Sequence, residues 1–200
     1  MVAGPVALDT PTARAAQPAA PRVRLVDAAS APLLARDLFG SGDPGPIVAS
    51  LAQVPELLGP TLPFLGAVLG PSFVSLRETE MVILRTSAVL GCRYCTEAHS
   101  VVALDSGLSL DEVRGLRGEL ALADSFPDDA ERALLAWCDA VAFGVESDIE
   151  QARRALVVDD ARVVALTLLA ATTVMLNRYA TALALPTSPD VRERLVQEGL

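Results

Sequence analysis

The stretch EMVILRTSAVLGCRYCTEAH, residues 80–99, decides how the chain is read. Just ahead of it, Ser75 and Glu78 have the spacing of a capping box, so a helix is expected over 76–90. Gly91 is placed to end that helix in a left-handed turn. Cys92 then stands at the start of a second helix, running to Ser106 and stopped by Gly107. Within it Cys92 and Cys95 are three residues apart, on one side of a turn, where two sulfurs can join with little backbone movement. His99 lies four residues beyond Cys95, and at 100° per residue Cys92 falls only about 20° from it around the axis. Two thiols and one imidazole therefore share one stripe of one helix.

Those residue types in that pattern point to thiol chemistry. The thiolate is the nucleophile, and a thiol with a pKa of about 8.5 is mostly idle at neutral pH. The unpaired N–H groups and dipole at a helix start favour the thiolate, and a neighbouring imidazole can take the proton. His99 is the only histidine in the chain, so no other imidazole can fill that role. Glu80, across the Gly91 junction, is the candidate to orient it, completing the series of nucleophile, base and orienting group. Ser87 shares the helix face of Glu80 and is a candidate for a supporting hydrogen bond. Arg85 points about 140° away from Glu80, on another face. Tyr94 lies on the opposite side of an ideal helix from His99, so packing and a part in the site are both open for it. Two other readings stay open for the pair: a zinc site needing a fourth ligand from Glu80 or water, and two inert core thiols. Cys138 sits between apolar neighbours and reads as core. Asn177 and Arg178, at the end of an apolar helix, read as structural, with substrate contact as the alternative.

Outward from this stretch the chain reads as all-α. Helices are expected over 29–39, over 54–69 (kinked or divided by Pro60 and Pro63), and over 109–116 behind a second capping box, Ser109 with Glu112. Others follow from Asp128 or Asp129 to about Phe143, from Ser147 to about Leu156, from Asp160 to about Leu185, and over 190–197. No alternating strand pattern and no internal repeat stands out. The 200 residues suit one domain, expected over 29–200, with residues 1–28, rich in Ala, Pro and Thr, as a disordered or loosely attached arm. Hydrophobic residues make up 52% and aromatics only 4%, a core of small aliphatics that suits close-packed helices. The net charge of −9 argues against nucleic acid or an anionic membrane as partner, because phosphates would be repelled. The longest apolar run, 163–176, is shorter than the roughly 20 residues a bilayer needs. The N-terminus shows no secretory pattern, so a cytoplasmic location is expected, where a close cysteine pair is more often catalytic or metal-binding than structural.

The combined spacing, Glu80, then Cys92-x-x-Cys95-x-x-x-His99, resembles the alkylhydroperoxidase D-like group of the carboxymuconolactone decarboxylase superfamily. The later run Met175-Leu-Asn177-Arg178-Tyr179 followed by Leu183-Ala-Leu-Pro186 resembles that superfamily's C-terminal helix, so the likeness spans about 35–186. It implies an alkylhydroperoxidase D-like helical bundle with the Cys-x-x-Cys at a helix N-terminus. It also implies a thiol-dependent peroxidase with no bound cofactor and no metal. In that activity Cys95 attacks a hydroperoxide, Cys92 resolves the product as a redox-active Cys92–Cys95 disulfide, and His99 with Glu80 relays protons. The best-known peroxidase members carry a histidine where this chain has Tyr94. The implied partners are a hydroperoxide or other small-molecule substrate, an external dithiol or lipoyl-protein reductant, and further copies of the chain in a trimer or hexamer. Two other functions remain in view: a decarboxylase-type lyase acting on a small carboxylated lactone through His99 and Glu80, and a non-enzymatic redox sensor.

Overall fold

The computed structural model describes residues 20–40, 42–70 and 74–200, and within them every regular element is helical. The helices are α1 (Pro46–Leu51), α2 (Leu58–Leu69), α3 (Leu76–Val89), α4 (Arg93–Asp105), α5 (Leu110–Leu116) and α6 (Leu122–Ser125). They continue with α7 (Asp129–Phe143), α8 (Glu146–Ala155), α9 (Asp160–Leu183) and α10 (Pro189–Glu198).

Helix α3 is the central element. Its residues Thr79 to Leu84 are all buried, as are Thr86 and Ser87, so it has almost no solvent face. It packs against α4, α5, α7 and α9, and the core built around Met81, Leu84, Leu135 and Leu166 closes on it. Its polar termini are tied outward. Arg77 bridges Glu112 and Glu131, Glu78 pairs with Arg162, and Arg85 forks onto Asp139 of α7 through bonds of 2.8 and 2.6 Å. Both expected capping boxes form: Ser75 with Glu78 at α3, and Ser109 with Glu112 at α5.

Helix α9 is 24 residues long, and by length and composition it is apolar enough to cross a bilayer. The fourteen-residue run seen in the sequence understates it, because Arg162 and Asn177-Arg178 bound the run without ending the helix. Here it packs against α2, α3, α4 and α7 as the second long strut of the bundle.

Residues 29–39, expected as a helix, form turns and a short 3-10 segment, Arg36–Phe39. The Asp27 carboxylate takes both the N–H and the O–H of Ser30, and Pro32 biases Ala31 away from helical backbone. Helices α1 and α6 are further elements that the sequence pattern did not announce. Much of the expected arm, residues 1–19, lies outside the described residues. From residue 20 onward it runs along the bundle. The Arg22 backbone N–H donates to Leu183 O, its guanidinium donates to Thr181 O and Ala182 O at 2.9 and 2.8 Å, and Val26 N–H reaches Ala49 O. Arg22 thus caps the C-terminal carbonyls of α9 with a cation, the sign its dipole favours. Val26 joins Phe39, Ala49 and Leu58 in a second small core.

Candidate active site

The junction of α3 and α4 is a complete Schellman motif. Gly91 has φ +66°, its N–H donates to Ala88 O, and the Cys92 N–H donates to Ser87 O at 2.9 Å. A residue with a side chain would be strained at that φ, which is why a glycine stands immediately before the cysteine. The turn fixes Cys92 as the N-cap of α4 and puts Cys95 in its first turn. The two sulfurs lie 2.7 Å apart, both as free, buried thiols.

A second Schellman motif faces the first. At the end of α9 Ala184 adopts φ +51°, its N–H bonds to Thr181 O, and the Leu185 N–H bonds to Ala180 O. That turn lays Leu185 and Ala180 against Cys92 and Cys95, with Tyr94 packed beside them. Between the two turns a cleft of about 150 Å³ reaches Cys92, bordered by Gly91, Arg93, Thr181 and Ala184.

The electrostatics of the pair are asymmetric. The Cys95 thiol hydrogen-bonds the Cys92 sulfur and, with the Cys95 backbone N–H, the Thr181 hydroxyl and the charge of His99, holds Cys92 down to about 7 against the cost of burial. The same contact pushes Cys95 upward, with desolvation and the Cys92 charge adding to it, while the Ser87 hydroxyl acts the other way. One negative charge is shared by the pair, resting on Cys92. Burial and the two neighbouring sulfurs raise Tyr94 to about 12, so it remains a neutral phenol beside them. The expected core cysteine, Cys138, is fully buried, and its thiol is pushed up by desolvation.

His99 and Glu80 meet across α3 and α4: Nδ1 lies 2.8 Å from Oε2 of a Glu80 that is 4% exposed. A carboxylate accepts, so Nδ1 donates its hydrogen to Glu80, and Nε2 is the nitrogen left to take or give a proton. The ring makes no hydrogen bond to either sulfur among the described residues; its charge is felt at Cys92. Ser87, from α3, lies under Cys95 and accepts a 3.2 Å hydrogen bond from Asn177 Nδ2, which also donates to Thr173 O. Sequence spacing missed Thr181 and the Asn177–Ser87 link, because both depend on where α9 crosses α3. Arg178 is exposed. Among the described residues no three of His, Cys, Asp and Glu converge as metal ligands.

The helical bundle that carries this paired-thiol site has an AhpD-like fold. Residues 55–140, less than half of the chain, match the model of the carboxymuconolactone decarboxylase family. Similar solved structures share the fold. The AhpD core of an uncharacterized peroxidase-related protein from Ralstonia eutropha superposes with a TM-score of 0.72 at 19% identity, covering 86% of this chain and 94% of that one. A protein of unknown function from Agrobacterium tumefaciens, suggested to be an antioxidant defence protein AhpD, gives 0.63 at 22% identity, covering 70% and 95%. An uncharacterized peroxidase-related protein from Silicibacter gives 0.59 at 21%, covering 72% and 78%. A comparison with curated proteins finds no match.

Proposed function

We propose that the chain is a thiol-dependent hydroperoxide reductase, or more broadly a thiol–disulfide oxidoreductase, working through Cys92 and Cys95. One observation carries this reading: two free thiols with sulfurs 2.7 Å apart, one held charged near neutral pH. The proton that Cys95 donates to Cys92 is already in line for transfer. Passing it across leaves the charge on Cys95, the attacking role that the family resemblance gives it. The Cys95 electron pair bonds the outer peroxide oxygen, the O–O bond breaks, and the departing alkoxide takes a proton from the His99 imidazolium held by Glu80. Cys92 then attacks the sulfenic sulfur of Cys95; the S–S bond forms, and the hydroxyl leaves with the Cys92 proton as water. The peroxide is reduced by two electrons and the pair is oxidised by two. An external dithiol or lipoyl-protein reductant returns them, and a reducing cytoplasm would keep the resting pair free. Exposed Val164, Leu168 and Met175, on one side of α9, support association between copies of the chain.

The test is sulfenate trapping. Cys92→Ser and Cys95→Ser are exposed to an organic hydroperoxide with dimedone and read by mass spectrometry. An adduct on Cys95 in the first variant, and none on Cys92 in the second, is expected. An adduct on Cys92 alone reverses the roles, and no adduct in either removes the peroxidase reading.

A further inference from the structure

A second cavity lies away from the sulfurs. It measures about 560 Å³, within the usual range for small-molecule sites, and lies where the 25–28 segment, the 42–49 segment and the start of α10 come together. Phe39, Pro44, Ala49 and Pro186 give it an apolar wall. Its polar side is built differently. Thr187 is among the residues that line this space and is 4% exposed; its hydroxyl, set just beneath the wall, has no hydrogen-bond partner among the described residues. A buried hydroxyl left unpaired costs about 1–3 kcal/mol, so a ligand atom that satisfies it is stabilised there. Next to it Arg192 spends one guanidinium nitrogen on Thr187 O at 2.9 Å, and its remaining donors have no partner among the described residues. Both residues stand at the N-terminal end of α10, a ten-residue helix whose dipole favours negative charge.

We propose that this cavity binds an amphipathic monocarboxylate, its head held by Arg192 and the Thr187 hydroxyl and its tail against the Phe39 wall. Asp27 and Asp43, exposed at the mouth, are already turned inward on their own loops: Asp27 accepts from Ser30, and Asp43 accepts from the Gly45 N–H. Their charge disfavours dianions such as phosphate monoesters and leaves a single carboxylate as the head group that one guanidinium can match. The inference is independent of the thiol chemistry, since neither cysteine lines the cavity.

Isothermal titration of the full chain with octanoate tests it. Saturable binding to one site is expected, weakened about tenfold by Arg192→Gln and about fivefold by Thr187→Val. Arg194→Gln, on the same helix but paired with Glu198 and Asp105, should leave it unchanged. Octanol, with the same tail and no charge, should bind about tenfold more weakly. Equal binding of octanol, parent-like binding by both variants, or no saturable binding by the parent chain overturns the assignment. Thr187→Val is nearly isosteric, so it decides the matter even if Arg192→Gln unfolds.

Discussion

Replacing Cys95 by alanine removes the hydrogen bond that contributes most to the Cys92 thiolate. The fold brings Cys92 down from a reference of 9.0 to about 7. That difference corresponds to about 3 kcal/mol between the two protonation states. The backbone N–H, Thr181 and His99 remain in the variant, but so does the desolvation that opposes them, so Cys92 should move back towards 9.0. At neutral pH the thiolate fraction would then fall from about one half to about 1%, roughly fiftyfold. A more basic thiolate is intrinsically more nucleophilic, by about eightfold for a Brønsted slope of about 0.45, so alkylation at neutral pH should slow by only about sixfold. The decisive assay is therefore a titration of thiolate absorbance in the ultraviolet rather than a single rate. Cys138 is silent in that range because burial holds it protonated. Cys95→Ser keeps a donor and should retain a low Cys92 value. If Cys95→Ala titrates as the parent does, the thiolate owes its stability to something other than its neighbour.

Glu80→Gln keeps the acceptor for His99 Nδ1 but loses the charge; hydroperoxide consumption should fall about ten- to a hundredfold, and unchanged turnover would show that the pair is not used. Gly91→Ala meets no atom within 4 Å, so its cost is backbone strain alone at φ +66°, about 1–2 kcal/mol in a denaturant midpoint; a neutral result would contradict the turn described here. Stability should also depend on pH through the pair. Cys92 has its pKa depressed by folding, so its contribution is absent below about 7 and grows as pH rises towards 9.0. Cys95 has its pKa raised, so its contribution is lost as pH climbs beyond 9.0. Relative to Cys92→Ser, the reduced protein should gain about 2 kcal/mol over the first interval, measured by denaturation at a series of pH values.

Much of this was legible in the residues, for local reasons. Ser75 with Glu78, Ser109 with Glu112, and the glycine before Cys92 act within a few positions of themselves, so pattern and structure coincide. The Glu80–His99 contact was accessible too, because a tight turn between two helices leaves few ways to pack them. The 29–39 segment misled because its apolar spacing is overruled by the Asp27–Ser30 turn and by Pro32. Thr181 beside Cys92, Asn177 on Ser87, and Ser50 bonded to Tyr179 at 2.9 Å all arise from contacts between distant segments. No spacing rule announces such contacts. The same holds for Arg22, which closes the end of α9 across nearly the length of the chain.

Ala184 occupies a left-handed backbone position that glycine would hold without penalty. An alanine there lies about 1 kcal/mol higher, which raises the share of molecules with that last turn undone about fivefold. Since Leu185 rides on this turn and covers the sulfurs, each unwinding would bare them briefly to solvent. A single methyl group thus sets how often the roof over the thiols lifts, and glycine at the same position would keep it shut for longer.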